Sequence, residues 1–243
     1  MKATRSYGAF ILFYGALILN MIFLFNAQDR RAEWANVPPV PDERSAPLSG
    51  LGDPQFAYRT FGLMIQNFGD IGGRVTPLSE YNIERLGAWF SFMNVLDPHS
   101  NFIPFLAAYY FGGADNIENM APITQYLENI GSTAEDEKWR WLAQAVFIAR
   151  HKEKDMDKAL RLSEKLAALY EPGMPAWTKQ MPAFVTMAMG DKDAAFGIFA
   201  GILAGDTSSM DPAEVNFMKL YICEQILDET QAREYPLCKT VQQ

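Results

Sequence analysis

The 243-residue chain is 49% hydrophobic and 21% charged, which excludes disorder as its main state and leaves enough apolar material for one or two compact domains. A formal net charge of -8 argues against nucleic acid as a partner, because phosphate contacts need a basic face that an acidic chain seldom spares. Aromatic side chains make up 13% of the residues, so a large flat apolar area has to be hidden in a core or an interface.

Residues 1–6 form a short tail carrying Lys2 and Arg5. From Tyr7 to Ala27 the chain runs without a charge, and at 1.5 Å per residue this stretch makes a helix of about 30 Å, the thickness of bilayer hydrocarbon. Residues 7–27 read as a transmembrane helix in contact with the lipid bilayer. The competing reading is a cleaved signal peptide, but its apolar core is shorter, and Phe25 stands where cleavage after Ala27 needs a small residue. Tyr7, Arg30, Arg31 and Trp34 suit the two membrane interfaces. Lys2 and Arg5 nearly balance Arg30 and Arg31 across the span, so charge alone leaves the orientation open.

Residues 28–54 include prolines at 38, 39, 41, 47 and 54 and show no helical periodicity. Proline fixes φ and removes donors, which predicts an extended, semi-rigid spacer that lifts the rest of the chain off the membrane. Over residues 55–228 apolar side chains recur at three- and four-residue steps, the pattern of an all-α domain, and residues 229–243 form a C-terminal tail. Helices are predicted at 55–68, 78–95, 102–112, 118–130, 135–152, 155–170, 175–189, 192–204 and 212–228. Their starts carry capping signals: "DPAE" from Asp211, "STAE" from Ser132 and "TPLSE" from Thr76.

Proline-marked junctions at Pro98, Pro172 and Pro212 lie 74 and 40 residues apart, which suggests a period of about 34 to 40 residues, that of a helix-pair solenoid. The segment "MPAFVTMAMGDKDAAFGIFAGIL", Met181–Leu203, carries Ala183 in a first helix, a Gly190-Asp191 turn, and Ala195 and Phe199 in a second helix. With Ala108 and Phe111 in "FLAAYYFGG", followed by Met120 and Leu127, these positions resemble the tetratricopeptide repeat family. The resemblance covers roughly residues 80–228 as three or four degenerate units, without the family's tryptophan and Leu-Gly pair. It implies that the first helix of each pair lines a concave groove. Counting from Ala108 places Phe102, Phe105 and Tyr109 there; counting from Ala183 places Trp177, Gln180, Phe184 and Met187 there. Such a face is either an apolar groove for a peptide or amphipathic helix, or core. The glycines at 197, 201 and 205 in "GIFAGILAG" are expected to let helices approach closely.

Asp97 and His99, one of only two histidines, flank Pro98 at a helix corner. Asp97 ends one helix and Ser100 or Asn101 caps the next, so a joint accounts for them. A nucleophile and base need a third orienting group and a metal site needs more ligands; His151 sits apart in a charged helix end. "GDIGGR", Gly69–Arg74, follows a helix rather than a strand and reads as a helix stop, not a phosphate loop. Cys223 and Cys238 lie fifteen positions apart: a disulfide in an oxidising compartment tethers the tail, and unrelated thiols fit the spacing equally well.

The sequence therefore points to a membrane-anchored, non-catalytic scaffold or accessory subunit with a tetratricopeptide-like domain, probing protein partners at the membrane from an extracytoplasmic position. No cofactor and no metal are expected. The alternative is an envelope-associated, hydrolase-like enzyme using Asp97 and His99 in a helical cleft.

Overall fold

The structure, a computed structural model, describes residues 3–27, 36–42, 46–71, 74–115, 117–208 and 210–241. Helix α1 (Ala3–Ala27) contains a stretch, Gly8–Ala27, long and apolar enough to cross a membrane, and none of that stretch is buried against the rest of the chain. Lys2, Arg30, Arg31 and Trp34, the predicted interface and orientation residues beside it, lie outside the described residues.

The proline-rich segment departs from a free spacer. Residues 36–42 form no regular secondary structure and are strapped onto α4 (Ile83–Leu96). Val37 is only 1% exposed, the Trp89 indole donates to the Pro38 carbonyl at 2.8 Å, and the Asn36 amide donates to the Glu80 carbonyl at 3.0 Å. Prolines suit such a strap, since their missing N–H groups leave no donors to satisfy against a packed helix. The predicted spacer residues 28–35 and 43–45 lie outside the described residues, and the short helix α2 (Ala46–Ser49) follows them.

Helix α3 (Pro54–Gln66) starts where Asp53 accepts from the backbone of Gln55 and Phe56 and Pro54 occupies the first turn. After it, Asp70–Ile71 pairs antiparallel with Arg74–Val75, the only sheet among the described residues, and this hairpin takes up "GDIGGR" with Gly72 and Gly73 themselves outside them. Thr76 does not cap the next helix: Leu78–Glu80 forms a 3-10 turn and Asn82 caps α4 by accepting from Arg85 at 2.9 Å.

Helix α5 (Phe102–Phe105) runs on into a π-helical turn, Leu106–Phe111, and α6 (Ala121–Ile130) follows. The predicted start of the next helix at 135 is corrected by the backbone. Asp136 and Glu137 take left-handed φ values of 51° and 56°, so Glu135–Glu137 is a separate 3-10 turn and α7 begins at Trp139. Helix α7 (Trp139–Ile148) ends in a second π-helical turn, Ala149–Glu153. Asp155 caps α8 (Met156–Ala168), and α9 (Trp177–Met189) stops at Gly190, whose φ of 87° a side chain would resist. Asp191 then caps α10 (Lys192–Ala204) and Asp211 caps α11 (Pro212–Tyr221), which ends in a third π-helical turn, Ile222–Ile226. The tail is ordered as α12 (Glu229–Glu234) and α13 (Pro236–Val241), joined to that last turn by a disulfide between Cys223 and Cys238 with Cα atoms 5.6 Å apart.

Packing follows chain order: α3 lies on α4, α4 on α6, and each helix from α6 to α10 on the next. The fold is all-helical in its packed elements, with helices adjacent in the chain packed against one another. One core holds Trp89, Phe90, Phe111 and Leu142; a second, at the C-terminal end, holds Phe199, Met218 and Ile222. Gly131 permits one close approach, since a Cβ there would come within 2.3 Å of the Leu142 backbone nitrogen. Gly197 and Gly201 do not serve this way: a Cβ at either meets nothing within 4 Å, so the expected close packing through "GIFAGILAG" is corrected.

Candidate functional site

Side chains also meet across every second helix. The ring of Phe102 in α5 lies over Gly62 in α3, where a Cβ would come within 3.1 Å of it. Ring centroids are 6.4 Å apart for Tyr109 and Trp141, 5.6 Å for Trp139 and Trp177, and 6.2 Å for Phe184 and Phe217. These contacts link α5, α7, α9 and α11. Among the intervening helices, Phe90 of α4 meets Tyr126 of α6 at 5.3 Å, and Glu128 of α6 takes Arg161 of α8 in a two-pronged ion pair at 2.7 and 3.2 Å, with Lys165 adding a third contact at 3.2 Å. The Arg161 guanidinium, acting against burial and with help from Lys165, holds the Glu128 carboxyl below its ordinary range.

The two predicted groove sets separate. Ile103, Leu106, Ala107, Ala108 and Phe111 turn into the core, which leaves Phe102, Phe105 and Tyr109 outward; Phe105 is 51% and Tyr109 52% exposed, with centroids 5.1 Å apart. In α9, by contrast, Gln180 is only 1% exposed and its amide donates to Glu214 of α11 at 3.3 Å. Trp177 and Met187 are half-buried, and half-buried Phe184 packs on Phe199, Phe217 and Tyr221. The structure thus brings Phe102, Phe105 and Tyr109 together on one open face and places the second set largely inside.

Other large apolar side chains that the repeat spacing did not flag are also exposed: Phe56 and Leu63 on α3, Val95 on α4, Tyr110 after α5, Phe147 on α7, Met189 on α9, and Phe217 and Leu220 on α11. Phe217 follows Glu214 by three residues, a helical offset visible in the sequence. Tyr110 carried no such signal, because the π-helical turn shifts the faces by one residue.

The corner at residues 97–101 is tied into three helices. Asp97 accepts from the backbone of His99 and Ser100, each at 3.1 Å, and from the Gln55 amide at 3.0 Å. Burial raises its pKa, but these hydrogen bonds outweigh burial and hold the carboxyl below the ordinary range. Buried Lys138 donates to the carbonyls of His99 and Ser100 at 3.2 and 2.8 Å, and the Trp141 indole donates to the Asn101 side chain at 2.8 Å. Burial pushes the Lys138 ammonium below its usual range. His99 faces outward, 83% exposed, with Nδ1 2.9 Å from Asp136, itself 53% exposed. Asp97 and His99 therefore meet through the His99 backbone, not through the imidazole.

His151 stacks beside Phe147 at 4.6 Å, far from this corner in the chain, and burial lowers its pKa. Among the described residues no three His, Cys, Asp or Glu side chains are grouped to hold a metal ion. No protein-family model, curated protein or solved structure matches the chain.

Proposed function

We propose that this chain is a single-pass membrane protein whose helical-repeat domain, tetratricopeptide-like in architecture, docks a protein partner without catalysing a reaction. The observation that carries the reading is where large apolar side chains stay exposed. Beyond α1 they fall mostly on α3, α5 with its π-helical turn, α7, α9 and α11, with Leu48 on α2 and Val95 on α4 outside that alternation, whereas α6, α8 and α10 carry none among the described residues. A repeat array that presents alternate helices on one side produces this pattern, and exposed aromatic patches mark interaction surfaces. The contacts between helices two apart support the repeat architecture.

The partner that fits is an amphipathic helix or peptide with an apolar face, seated against Phe102, Phe105 and Tyr109. Rigid aromatic rings supply contact area at low entropic cost, and a membrane anchor raises the effective concentration of any membrane-bound partner. The Cys223–Cys238 disulfide supports an oxidising, extracytoplasmic location for the domain.

The test is quantitative capture from native membranes in mild detergent, comparing the wild-type chain with a Phe105→Glu, Tyr109→Glu double variant and with Val95→Glu on α4 as a control. A partner retained by the wild type and by Val95→Glu but lost by the double variant supports docking at this face. A partner retained equally by all three moves recognition elsewhere, and failure to capture any partner counts against a scaffold.

A further inference from the structure

The span itself carries a polar side chain that the docking face does not explain. Asn20 sits in Gly8–Ala27 roughly 4 Å from its midpoint at 1.5 Å per residue. Asn26, near the end of the same stretch, returns its amide to the Ile22 carbonyl at 2.8 Å. Asn20 has no such partner among the described residues. In hydrocarbon an unpaired carboxamide is costly, and the usual remedy is a hydrogen bond to another helix.

The surroundings of Asn20 select the partner. With about 100° per residue, Ala9, Phe13, Ala16, Leu24 and Ala27 all fall within about 40° of Asn20, so every alanine of the span lies on its stripe. The steps from Ala9 through Phe13, Ala16 and Asn20 to Ala27 are four, three, four and seven residues, the heptad spacing of a left-handed helix pair. A shallow hollow already forms there, lined by Phe13, Ala16, Leu17, Asn20, Met21 and Leu24. Small side chains flanking the amide let a second backbone come near enough for Asn20 to reach across. A carboxamide is both donor and acceptor, so two copies related by a two-fold axis satisfy one another at the same position, which a helix lacking a polar residue at that depth cannot do.

We infer that two copies of this chain pair through their membrane helices, with Asn20 of each bonded to Asn20 of the other. The inference rests on the membrane-anchored reading above. Its consequence is that two docking domains are presented together, which raises avidity for a two-fold partner.

The experiment uses the full chain extracted from membranes. Intact mass first establishes whether residues 1–27 are present, and sedimentation equilibrium in detergent micelles then compares wild type, Asn20→Leu and Asn26→Leu. The expected result is an intact dimer weakened at least about tenfold by Asn20→Leu and unchanged by Asn26→Leu. An intact, membrane-extracted chain that is monomeric, or a dimer indifferent to Asn20→Leu, overturns the pairing and leaves the anchor standing. A mature chain lacking residues 1–27 overturns both.

Discussion

Trp139 and Trp177 meet edge-on with ring centroids 5.6 Å apart, although all of α8 separates their helices in the chain. The contact welds α7 to α9 independently of α8. A double-mutant cycle with Trp139→Ala and Trp177→Ala should give a coupling of about 0.5–1.5 kcal/mol in chemical denaturation, the range for aromatic pairs. A coupling near zero would show that the two helices are held only through α8.

Tyr109 and Phe184 belong to the same predicted groove but differ in surroundings. Exposed Tyr109 touches Phe105 and Trp141, whereas Phe184 is wedged among Phe199, Phe217 and Tyr221. Tyr109→Ser should change stability by no more than about 0.5 kcal/mol, and Phe184→Ser should cost about 2–4 kcal/mol. Thermal melts of both variants check this; equal losses would place Tyr109 in the core.

Glu128 predicts an acid-sensitive link between α6 and α8. Its carboxyl titrates lower in the folded chain than in the unfolded one, so its contribution is present above the unfolded carboxylate pKa and is lost as pH falls through the folded value. Arg161 and Lys165 are substantially exposed, which limits the contribution to about 1–2 kcal/mol. Glu128→Gln should lower stability by that amount at neutral pH, and the deficit should shrink below about pH 4.5. Denaturation midpoints of both chains across pH 3 to 7, roughly, provide the comparison.

The Cys223–Cys238 bridge closes a loop of fifteen residues and holds α12 and α13 over the second core. Replacing both cysteines with alanine should cost about 3 kcal/mol if chain entropy dominates. Limited proteolysis should then cut the tail before helices α3 to α11. An unchanged digestion pattern would show that Tyr235 and Leu237, packed on that core, hold the tail without the bridge.

Much of the fold was legible because it is written in local chemistry. Asp211 caps α11 as its "DPAE" signal predicts, and Gly190 turns the chain between α9 and α10, whereas Ser132 of "STAE" caps no helix and turns its hydroxyl back to the Glu128 carbonyl. Errors arose where long-range packing or unusual backbone decides. Nothing near Asn82 distinguished it from Thr76 as the start of α4, and the left-handed residues 136 and 137 are neither glycine nor asparagine. In the candidate site, helical spacing placed Phe105 and Tyr109 on one face but could not say that Gln180, at the equivalent offset, turns inward to reach Glu214. That depends on α11, thirty-four positions further along.

The strap has a consequence for where the domain begins. Periodicity alone starts it at residue 55, yet Val37 is buried and Trp89 donates its indole N–H, the side chain's only polar group, to the Pro38 carbonyl. A chain starting at Asn36 keeps these contacts; one starting at Ser45 exposes the side of α4 and leaves the indole N–H to water. Burial of Val37 contributes about 1.5–3 kcal/mol and the hydrogen bond about 1 kcal/mol, less the cost of ordering the strap. The longer chain should therefore be more stable by roughly 2 kcal/mol, and Trp89 fluorescence should respond to the truncation. Equal stability of the two chains would mean that residues 36–42 contribute no net energy and behave as the free spacer that their prolines suggest.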